Sequence, residues 1–298
     1  MRTIIFGIRK SALAKRQLEE FIAFLENQKL TFKYDVKTIV TQGDKDRTSP
    51  LHEMGQGIFT KEIERALLRR EIDCAVHSLK DMPVKIEQGT ICPCFPPRLD
   101  VRDCVIGRRG VEVQVLKGLR IGTGSPRRSE FLKEIESDVE ILPLRGNVET
   151  RLRKLDNGDY DAIILAACGL KRLGYTDRIS RYFDPDQFVP AAGQGIICAQ
   201  TRLDDDELNG ALKKCSSWEA EEASVSERKV LEALGIGCQM PFGVYARFEG
   251  ENFIITAKFY MGSKKSYVYA RRTSLKADRE TATADLIRQL KMEMGKES

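Results

Sequence analysis

The chain has 298 residues, of which 42% are hydrophobic and 31% are charged. These proportions are those of a soluble globular protein, and the length predicts two or three domains. The formal net charge of +5 is too small to indicate a nucleic-acid-binding protein, and 7% aromatic residues offer few groups for stacking on bases. The positions of the charged residues are therefore more informative than their number.

The apolar runs and the cysteines indicate in which cellular compartment the protein is expected. The opening segment, residues 1–7, is too short an apolar run for a secretory signal, and no run is long enough to span a membrane. The eight cysteines therefore predict reduced thiols in a cytoplasmic protein and not a disulfide framework. Cys92 and Cys94 are the closest pair, but no second pair lies nearby, so we expect no metal site.

Strands and helices alternate from the N-terminus. The pattern predicts a strand at 3–8, a helix capped by Ser11 and a second strand at 32–40. This βαβ unit predicts a parallel sheet. A helix at 60–70 and a buried strand at 73–79 follow.

Two segments rich in proline or glycine, at 93–97 and 189–195, enclose a second alternating block. Its predicted elements are, in order, a strand at 119–122, a helix after Ser125 and Pro126, a strand at 139–144, a helix capped by Asn147 and a strand at 162–167. A further strand is predicted at 196–200. We therefore predict a domain at 96–194 that is inserted into a first domain formed by 1–95 and 195–214.

The C-terminal residues, 216–298, predict a separate α+β domain. Its predicted elements are a helix at about 218–234, strands at 244–248, 253–260 and 266–272, and a helix from about 276. A tight loop with Gly235, Gly237 and Pro241 carries Cys238 between the first helix and the first strand. A single cysteine in such a loop is most often a small buried side chain, so this pattern alone assigns it no role.

Arginines follow the ends of several predicted strands, the edge at which open parallel sheets bind ligands. Arg127 and Arg128 lie in the first turn of a helix, where cations oppose the helix dipole at a cost of up to about 1 kcal/mol each. They either extend into solvent or hold an anion. Comparable strand-to-helix junctions carry Arg9, Lys10, Arg145, Arg151 and Arg172. Guanidinium groups at four junctions favour a ligand with several carboxylates or phosphates.

Six motifs occur in order along nearly the whole chain: Arg9-Lys10-Ser11-x-Leu13-Ala14, His77-Ser78-Leu79-Lys80-Asp81-Met82-Pro83, Gly122-Thr123-x-Ser125-x-Arg127-Arg128, Leu144-Arg145-Gly146-Asn147-Val148-x-Thr150-Arg151, Pro190-Ala191-Ala192-Gly193-Gln194-Gly195 and Gly237-Cys238-Gln239. Each motif alone is weak. Together and in this order they resemble the porphobilinogen deaminase (hydroxymethylbilane synthase) family.

The resemblance implies an α/β fold with two type II periplasmic-binding-protein-like domains and a smaller α+β C-terminal domain, a three-stranded sheet with helices. It implies a transferase of tetrapyrrole (haem and porphyrin) biosynthesis that joins four porphobilinogen molecules with loss of ammonia into linear hydroxymethylbilane. The growing polypyrrole chain is primed on a covalently bound dipyrromethane, and Cys238 matches its thioether anchor. We expect a cytoplasmic monomer with no nucleic-acid or membrane partner.

The same resemblance implies the roles of individual residues. Asp81 matches the catalytic carboxylate. The residues that match cofactor contacts are Cys238, Lys80, Ser125, Arg127, Arg128, Arg145, Arg151 and Gln194. Those that match substrate contacts are Arg9, Ser11, Arg145, Arg151 and Arg172. Each porphobilinogen carries an acetate and a propionate, which accounts for arginines at several junctions.

Three positions depart from the family pattern. Gln56 stands where the family usually has lysine, and Glu149 replaces a usual small residue. Residues 196–200 lack the acidic residue expected near their end. None of these departures concerns Cys238 or Asp81.

Two other classes of protein fit the sequence less well. A solute receptor or an effector-sensing protein shares the two-domain architecture, but it needs neither a third domain nor a thiol loop. A nucleic-acid-binding protein would need clustered lysines or stacking aromatic residues.

Overall fold

The computed structural model describes residues 2–45, 57, 60–237 and 240–295. The strands of these residues are, in chain order, β1 (Ile4–Arg9), β2 (Tyr34–Ile39), β3 (Cys74–Ser78), β4 (Thr90–Cys94), β5 (Asp103–Gly107), β6 (Arg120–Gly122), β7 (Glu140–Leu142), β8 (Ala162–Ala166), β9 (Ile179–Tyr182), β10 (Ile197–Arg202), β11 (Phe242–Glu249), β12 (Asn252–Met261) and β13 (Ser266–Leu275). The α-helices of the same residues are α1 (Ala12–Asn27), α2 (Gln42–Lys45), α3 (Lys61–Leu68), α4 (Pro126–Ile135), α5 (Val148–Asp156), α6 (Ala167–Leu173), α7 (Asp206–Lys213), α8 (Trp218–Leu234) and α9 (Arg279–Glu293). None of these helices is long and apolar enough to cross a membrane.

The chain divides into two compact units. The first unit comprises residues 1–99 and 195–222, and the second comprises residues 100–194 and 223–298. Within the described residues, the first unit holds one five-stranded sheet, and the second holds a five-stranded and a three-stranded sheet. The predicted boundaries of three domains stay a prediction.

The sheet of the first unit has the strand order β2-β1-β3-β10-β4. β1 is parallel to β2 and β3, whereas β10 is antiparallel to β3 and β4. Apolar side chains recur on one side of α1, so that Leu18, Phe21 and Leu25 are buried against one face of the sheet. Ile63 and Leu67 of α3 are buried against the other face.

The five-stranded sheet of the second unit has the order β7-β6-β8-β5-β9. β6 is parallel to β7 and β8, and β5 is antiparallel to β8 and β9. Phe131 and Leu132 of α4 are buried on one face, and Leu152 and Leu155 of α5 are buried on the other. The two five-stranded sheets therefore share one pattern of strand directions.

The remaining sheet is the antiparallel meander β11-β12-β13. Val230 and Leu234 of α8 share one hydrophobic core with this sheet, as do Leu286 and Leu290 of α9. The predicted α/β class with a smaller C-terminal α+β part is confirmed.

Most predicted elements are confirmed, including the helices that Ser11, Ser125 and Asn147 cap. The predicted βαβ unit at the N-terminus is confirmed, since β1 is parallel to β2. Neither five-stranded sheet is parallel throughout, because β10 and β5 pair with their neighbours in antiparallel fashion. The strands β4, β5 and β9 are not predicted from the sequence, and at β4 the prolines suggested a crossing instead. Pro93 is tolerated in β4 because this strand lies at the edge of its sheet.

Candidate active site

The first unit places two predicted site residues at one edge of its sheet. Arg9 is the last residue of β1, and the 3₁₀ turn Leu79–Asp81 follows the end of β3. Because β1 and β3 are parallel neighbours, these strand ends lie side by side. The structure therefore brings Arg9 and Asp81 to the same sheet edge.

Asp81 is exposed at the end of a closed turn. The buried residue Leu79 anchors this turn, since its N–H donates to the carbonyl oxygen of Ile196 at 3.0 Å. The N–H of Met82 closes the turn on the carbonyl oxygen of Leu79 at 3.1 Å. Met82 itself is extended (φ −80°, ψ 144°), the conformation favoured before Pro83. These backbone hydrogen bonds thus fix the main chain at Asp81, from which its side chain extends.

Two more predicted residues belong to this edge. Ser11 caps α1, and its Oγ accepts a hydrogen bond of 3.1 Å from the N–H of Ala14. Lys80 lies in the same 3₁₀ turn as Asp81 and is half-buried. Ser11 therefore has a structural role, and its hydroxyl hydrogen can still be donated to a ligand.

His77 of β3 is a residue to which sequence reasoning assigned no role. Its side chain is buried, and its Nε2 has no hydrogen-bond partner among the described residues. Burial lowers the pKa of His77 to about 4, the nearby side chain of Gln200 opposes this decrease, and the charge of Arg9 adds to it. His77 is therefore a neutral imidazole beneath this sheet edge at neutral pH. Its position inside the His77–Pro83 motif was the signal that could have found it.

The second unit also gathers predicted residues at one edge. α4 starts after β6, Arg145 follows β7, and α6 starts directly after β8 and carries Arg172. β6 lies between β7 and β8 and is parallel to both, so the three strand ends share one edge. The strand predicted at 162–167 is confirmed as β8, which ends at Ala166, and α6 begins at the next residue, Ala167.

Arg145 and Arg151 belong to one loop and the helix that follows it. Asn147 caps α5, since its Oδ1 accepts a hydrogen bond of 2.9 Å from the N–H of Thr150. Gly146 has φ 115°, and a Cβ atom there would lie 2.7 Å from the Thr150 side chain, so this turn requires glycine. Nε of Arg151 donates to the carbonyl oxygen of Gly146 at 2.7 Å. Arg151 thereby folds back onto the loop that carries Arg145.

Asp103, which sequence reasoning missed, lies at the same edge. It is the first residue of β5 and pairs with Ala166 at the end of β8. Its side chain is fully buried. Oδ2 accepts a hydrogen bond of 2.7 Å from Nη2 of Arg127. Oδ1 accepts two hydrogen bonds from Arg128, one of 2.9 Å from Nε and one of 2.7 Å from Nη2.

Arg127 and Arg128 are only 4% and 7% exposed, which excludes the alternative that they extend into solvent. Nη1 of Arg127 donates to the carbonyl oxygen of Val189 at 2.8 Å, and Nη1 of Arg128 donates to that of Ile164 at 3.3 Å. Burial lowers the pKa of Arg127, and the charge of Asp103 opposes that decrease. Arginine stays protonated in proteins, so two cations and one carboxylate leave a net charge of +1 in this buried cluster.

Gln194 joins the same cluster from the segment before β10. It is fully buried, and its Nε2 donates to Oδ1 of Asp103 at 3.1 Å and to the carbonyl oxygen of Val101 at 2.7 Å. Ser125 caps α4 by accepting from the N–H of Arg128 at 3.4 Å. We call Asp103, Arg127, Arg128 and Gln194 the arginine-pair cluster.

Comparison with known proteins decides the family. Residues 4–210 match the family described as "Porphobilinogen deaminase, dipyromethane cofactor binding domain", and residues 222–294 match "Porphobilinogen deaminase, C-terminal domain". The chain belongs to the porphobilinogen deaminase family.

Relatives in this family include the porphobilinogen deaminases of Oceanobacillus iheyensis, Lysinibacillus sphaericus and Bacillus cereus. The first is 42% identical over 260 residues, covering 86% of this chain and 84% of the relative. The second is 43% identical over 259 residues, with the same two coverages. The third is 42% identical over 283 residues, covering 94% of this chain and 91% of the relative. Among solved structures, the periplasmic aliphatic sulphonate binding protein of Escherichia coli is 14% identical and has a TM-score of 0.41, covering 79% of this chain and 71% of that protein.

Membership of the porphobilinogen deaminase family confirms the predicted activity at family level. The chain is a transferase that polymerises porphobilinogen in tetrapyrrole biosynthesis, and residues 4–210 form its dipyrromethane cofactor-binding domain. The described residues fit this cofactor, because a dipyrromethane made from porphobilinogen carries carboxylates and the arginine-pair cluster has one surplus positive charge.

Two positions that the sequence analysis singles out, the anchor candidate Cys238 and the departure Gln56, lie outside the described residues. Glu149 lies in the first turn of α5, where a negative charge is favourable for the helix dipole. This departure from the family pattern is therefore compatible with the local structure.

Proposed function

We propose that this chain extends a polypyrrole on a dipyrromethane anchored at Cys238, with Asp81 as the catalytic carboxylate. The observation that carries this proposal is the net charge of +1 in the buried arginine-pair cluster. A buried charge is costly unless it is paired, so this cluster favours the binding of one further anion. A carboxylate of the cofactor meets that requirement.

Both units would bind carboxylates of the pyrrole units. In the second unit, the arginine-pair cluster with Ser125 would hold the cofactor, and Arg145 and Arg151 would contact both cofactor and substrate. Arg172, at the same sheet edge, would contact substrate only. In the first unit, Lys80 would hold the cofactor, and Arg9 and Ser11 would hold substrate. Guanidinium groups suit this task because they form paired, charge-assisted hydrogen bonds to carboxylates.

Asp81 would act on the reacting porphobilinogen. Loss of ammonia leaves a positive charge on the substrate, and a carboxylate within hydrogen-bond distance stabilises such a charge. The same carboxylate can accept the proton that is released when the new carbon–carbon bond has formed. The exposure of Asp81 on a fixed turn supports this role, because a reacting group must be accessible and positioned.

When bound, the dipyrromethane supplies the pyrrole carbon at which the chain is extended. Cys238 would hold it through a thioether, which cytoplasmic thiols do not reduce as they reduce a disulfide. The cysteines of the described residues are free thiols, which supports a cytoplasmic location. A monomer without nucleic-acid or membrane partners is proposed from the family resemblance alone.

Intact-mass measurement tests the anchor. Protein from a cell that makes porphobilinogen should be heavier than its sequence by two pyrrole units, and Ehrlich's reagent should colour it. Cys238→Ser should abolish the adduct and the turnover, whereas Cys92→Ser and Cys94→Ser should leave both intact. An unmodified protein with full activity would contradict the proposal.

A further inference from the structure

Three side chains that the family resemblance assigns to the cofactor meet at one carboxylate outside the motifs. Asp103 accepts hydrogen bonds of 2.7–3.1 Å from Arg127, Arg128 and Gln194. Its two oxygens are divided between them, since Oδ2 accepts from Arg127 and Oδ1 from the other two. Asp103 therefore determines the directions in which both guanidinium groups can still donate.

Asp103 also sets the charge of the cluster. With its carboxylate the arginine pair has a net charge of +1, and without it the pair would have +2. Like charges repel strongly at the low effective dielectric constant of a buried site, so the unpaired guanidinium groups would move apart or bind other anions. A site with +2 attracts a divalent anion more strongly than it attracts a single carboxylate.

We propose that Asp103 is a positioning residue for assembly of the covalent cofactor, which fixes the two guanidinium groups and restricts their site to one monovalent carboxylate. The anions it excludes are inorganic dianions such as sulfate and hydrogen phosphate. This inference rests on the proposed function, in which the arginine pair holds the dipyrromethane.

The first test uses the full chain produced without porphobilinogen, so that no cofactor is bound. The Tm of the wild type, Asp103→Asn and Asp103→Glu is measured in sodium sulfate and in sodium chloride of equal ionic strength. Asp103→Asn should bind sulfate at least tenfold more tightly than the wild type, seen as a sulfate-specific rise in Tm beyond that of the wild type. Asp103→Glu keeps the charge and should respond to sulfate as the wild type does.

The second test adds porphobilinogen to the same proteins and follows the mass increase of two pyrrole units with time. Asp103→Glu displaces the carboxylate by one methylene group, so loading of the cofactor should be at least tenfold slower. A merely structural role would lower the Tm of both variants equally in both salts and leave the loading rate of the folded protein unchanged.

The outcomes separate this inference from the proposed function. An equal response to sulfate in the wild type and Asp103→Asn, or wild-type loading in Asp103→Glu, would overturn the inference. If Asp103→Asn does not fold, the loading rate of Asp103→Glu decides. If the wild type itself gains no adduct, the proposed function has failed, and the sulfate comparison still tests the charge of the arginine pair.

Discussion

The hydroxyl group of Tyr267 in β13 donates a hydrogen bond of 2.9 Å to the carbonyl oxygen of Glu130 in α4. On the neighbouring strand, Nζ of Lys258 forms an ion pair with Glu134 of the same helix. The C-terminal sheet therefore holds the helix whose first turn carries the arginine pair. This contact lies within the second unit and connects two parts of the chain that differ in fold.

We expect Tyr267→Phe to lower the free energy of unfolding by about 1 kcal/mol, the usual net contribution of one hydrogen bond. Urea unfolding measures this change. Tyr269→Phe is the matched control, because Tyr269 lies two residues further along the same strand and is 47% exposed. Equal stabilities of the two variants would show that the hydroxyl of Tyr267 does not hold α4.

Replacing Arg127 and replacing Arg151 should lower the stability of the protein by different amounts. Arg127→Leu leaves the buried Asp103 with fewer partners, and breaking such a pair costs about 3–5 kcal/mol of stability. Arg151 is half-buried and donates to a backbone carbonyl, so Arg151→Leu should cost about 1 kcal/mol or less. The sequence alone predicts a ligand role for both, and the structure adds a structural role for Arg127.

Arg151→Leu should nevertheless slow at least one elongation step about tenfold or more, because a charged hydrogen bond contributes about 1.5–3 kcal/mol. Mass spectrometry of enzyme-bound intermediates after a single turnover shows which chain length accumulates. Urea unfolding of both variants gives the stability comparison. A stable Arg127→Leu variant, or normal product lengths in Arg151→Leu, would contradict these expectations.

His77 should make stability depend on pH. Its pKa is about 4 in the folded protein, against an ordinary value of 6.5, because it is buried. As the pH falls from 6.5 to 4, the unfolded chain therefore binds a proton that the folded chain does not bind. Proton binding by the unfolded chain therefore lowers the free energy of unfolding. The contribution of His77 to that free energy is complete above pH 6.5 and decreases by about 3 kcal/mol as the pH falls to 4.

Urea unfolding of the wild type and of His77→Gln at pH values across that window tests this expectation. Glutamine does not titrate, so the difference in unfolding free energy between the two proteins should change with pH in the stated direction. A difference that is constant with pH would show that His77 is protonated alike in the folded and the unfolded chain.

Asp81→Asn keeps the shape of the side chain and removes its charge, whereas Asp81→Glu keeps the charge and moves it by one methylene group. Electrostatic and acid–base contributions at such a group are typically about 10²–10⁴-fold each, so we expect near-complete loss of activity in the first variant and partial activity in the second. Single-turnover release of ammonia, from protein with verified cofactor, measures the rates. If Asp81→Asn kept more than about a tenth of the wild-type rate, the charge of Asp81 would lower the activation free energy by less than about 1.4 kcal/mol. Asp81 would then not be the catalytic carboxylate.

The sequence by itself determined the local structure around the candidate site. Ser11, Ser125 and Asn147 each precede a helix, and each caps it through a side-chain oxygen that accepts from a backbone N–H three residues later. Such contacts involve neighbouring residues only, so residue type and spacing are enough to predict them. The strand-to-helix junctions that carry the arginines could be recognised for the same reason.

Only the tertiary structure decided what the arginines contact. Asp103 precedes Arg127 by 24 residues, and it reaches the arginine pair because β5 runs antiparallel to β8 and begins where β8 ends. The partner of a strand and the direction of the pairing depend on segments that are distant in the chain, whereas the periodicity of one segment indicates only which of its faces is buried. A carboxylate outside every motif could therefore become the common partner of Arg127, Arg128 and Gln194.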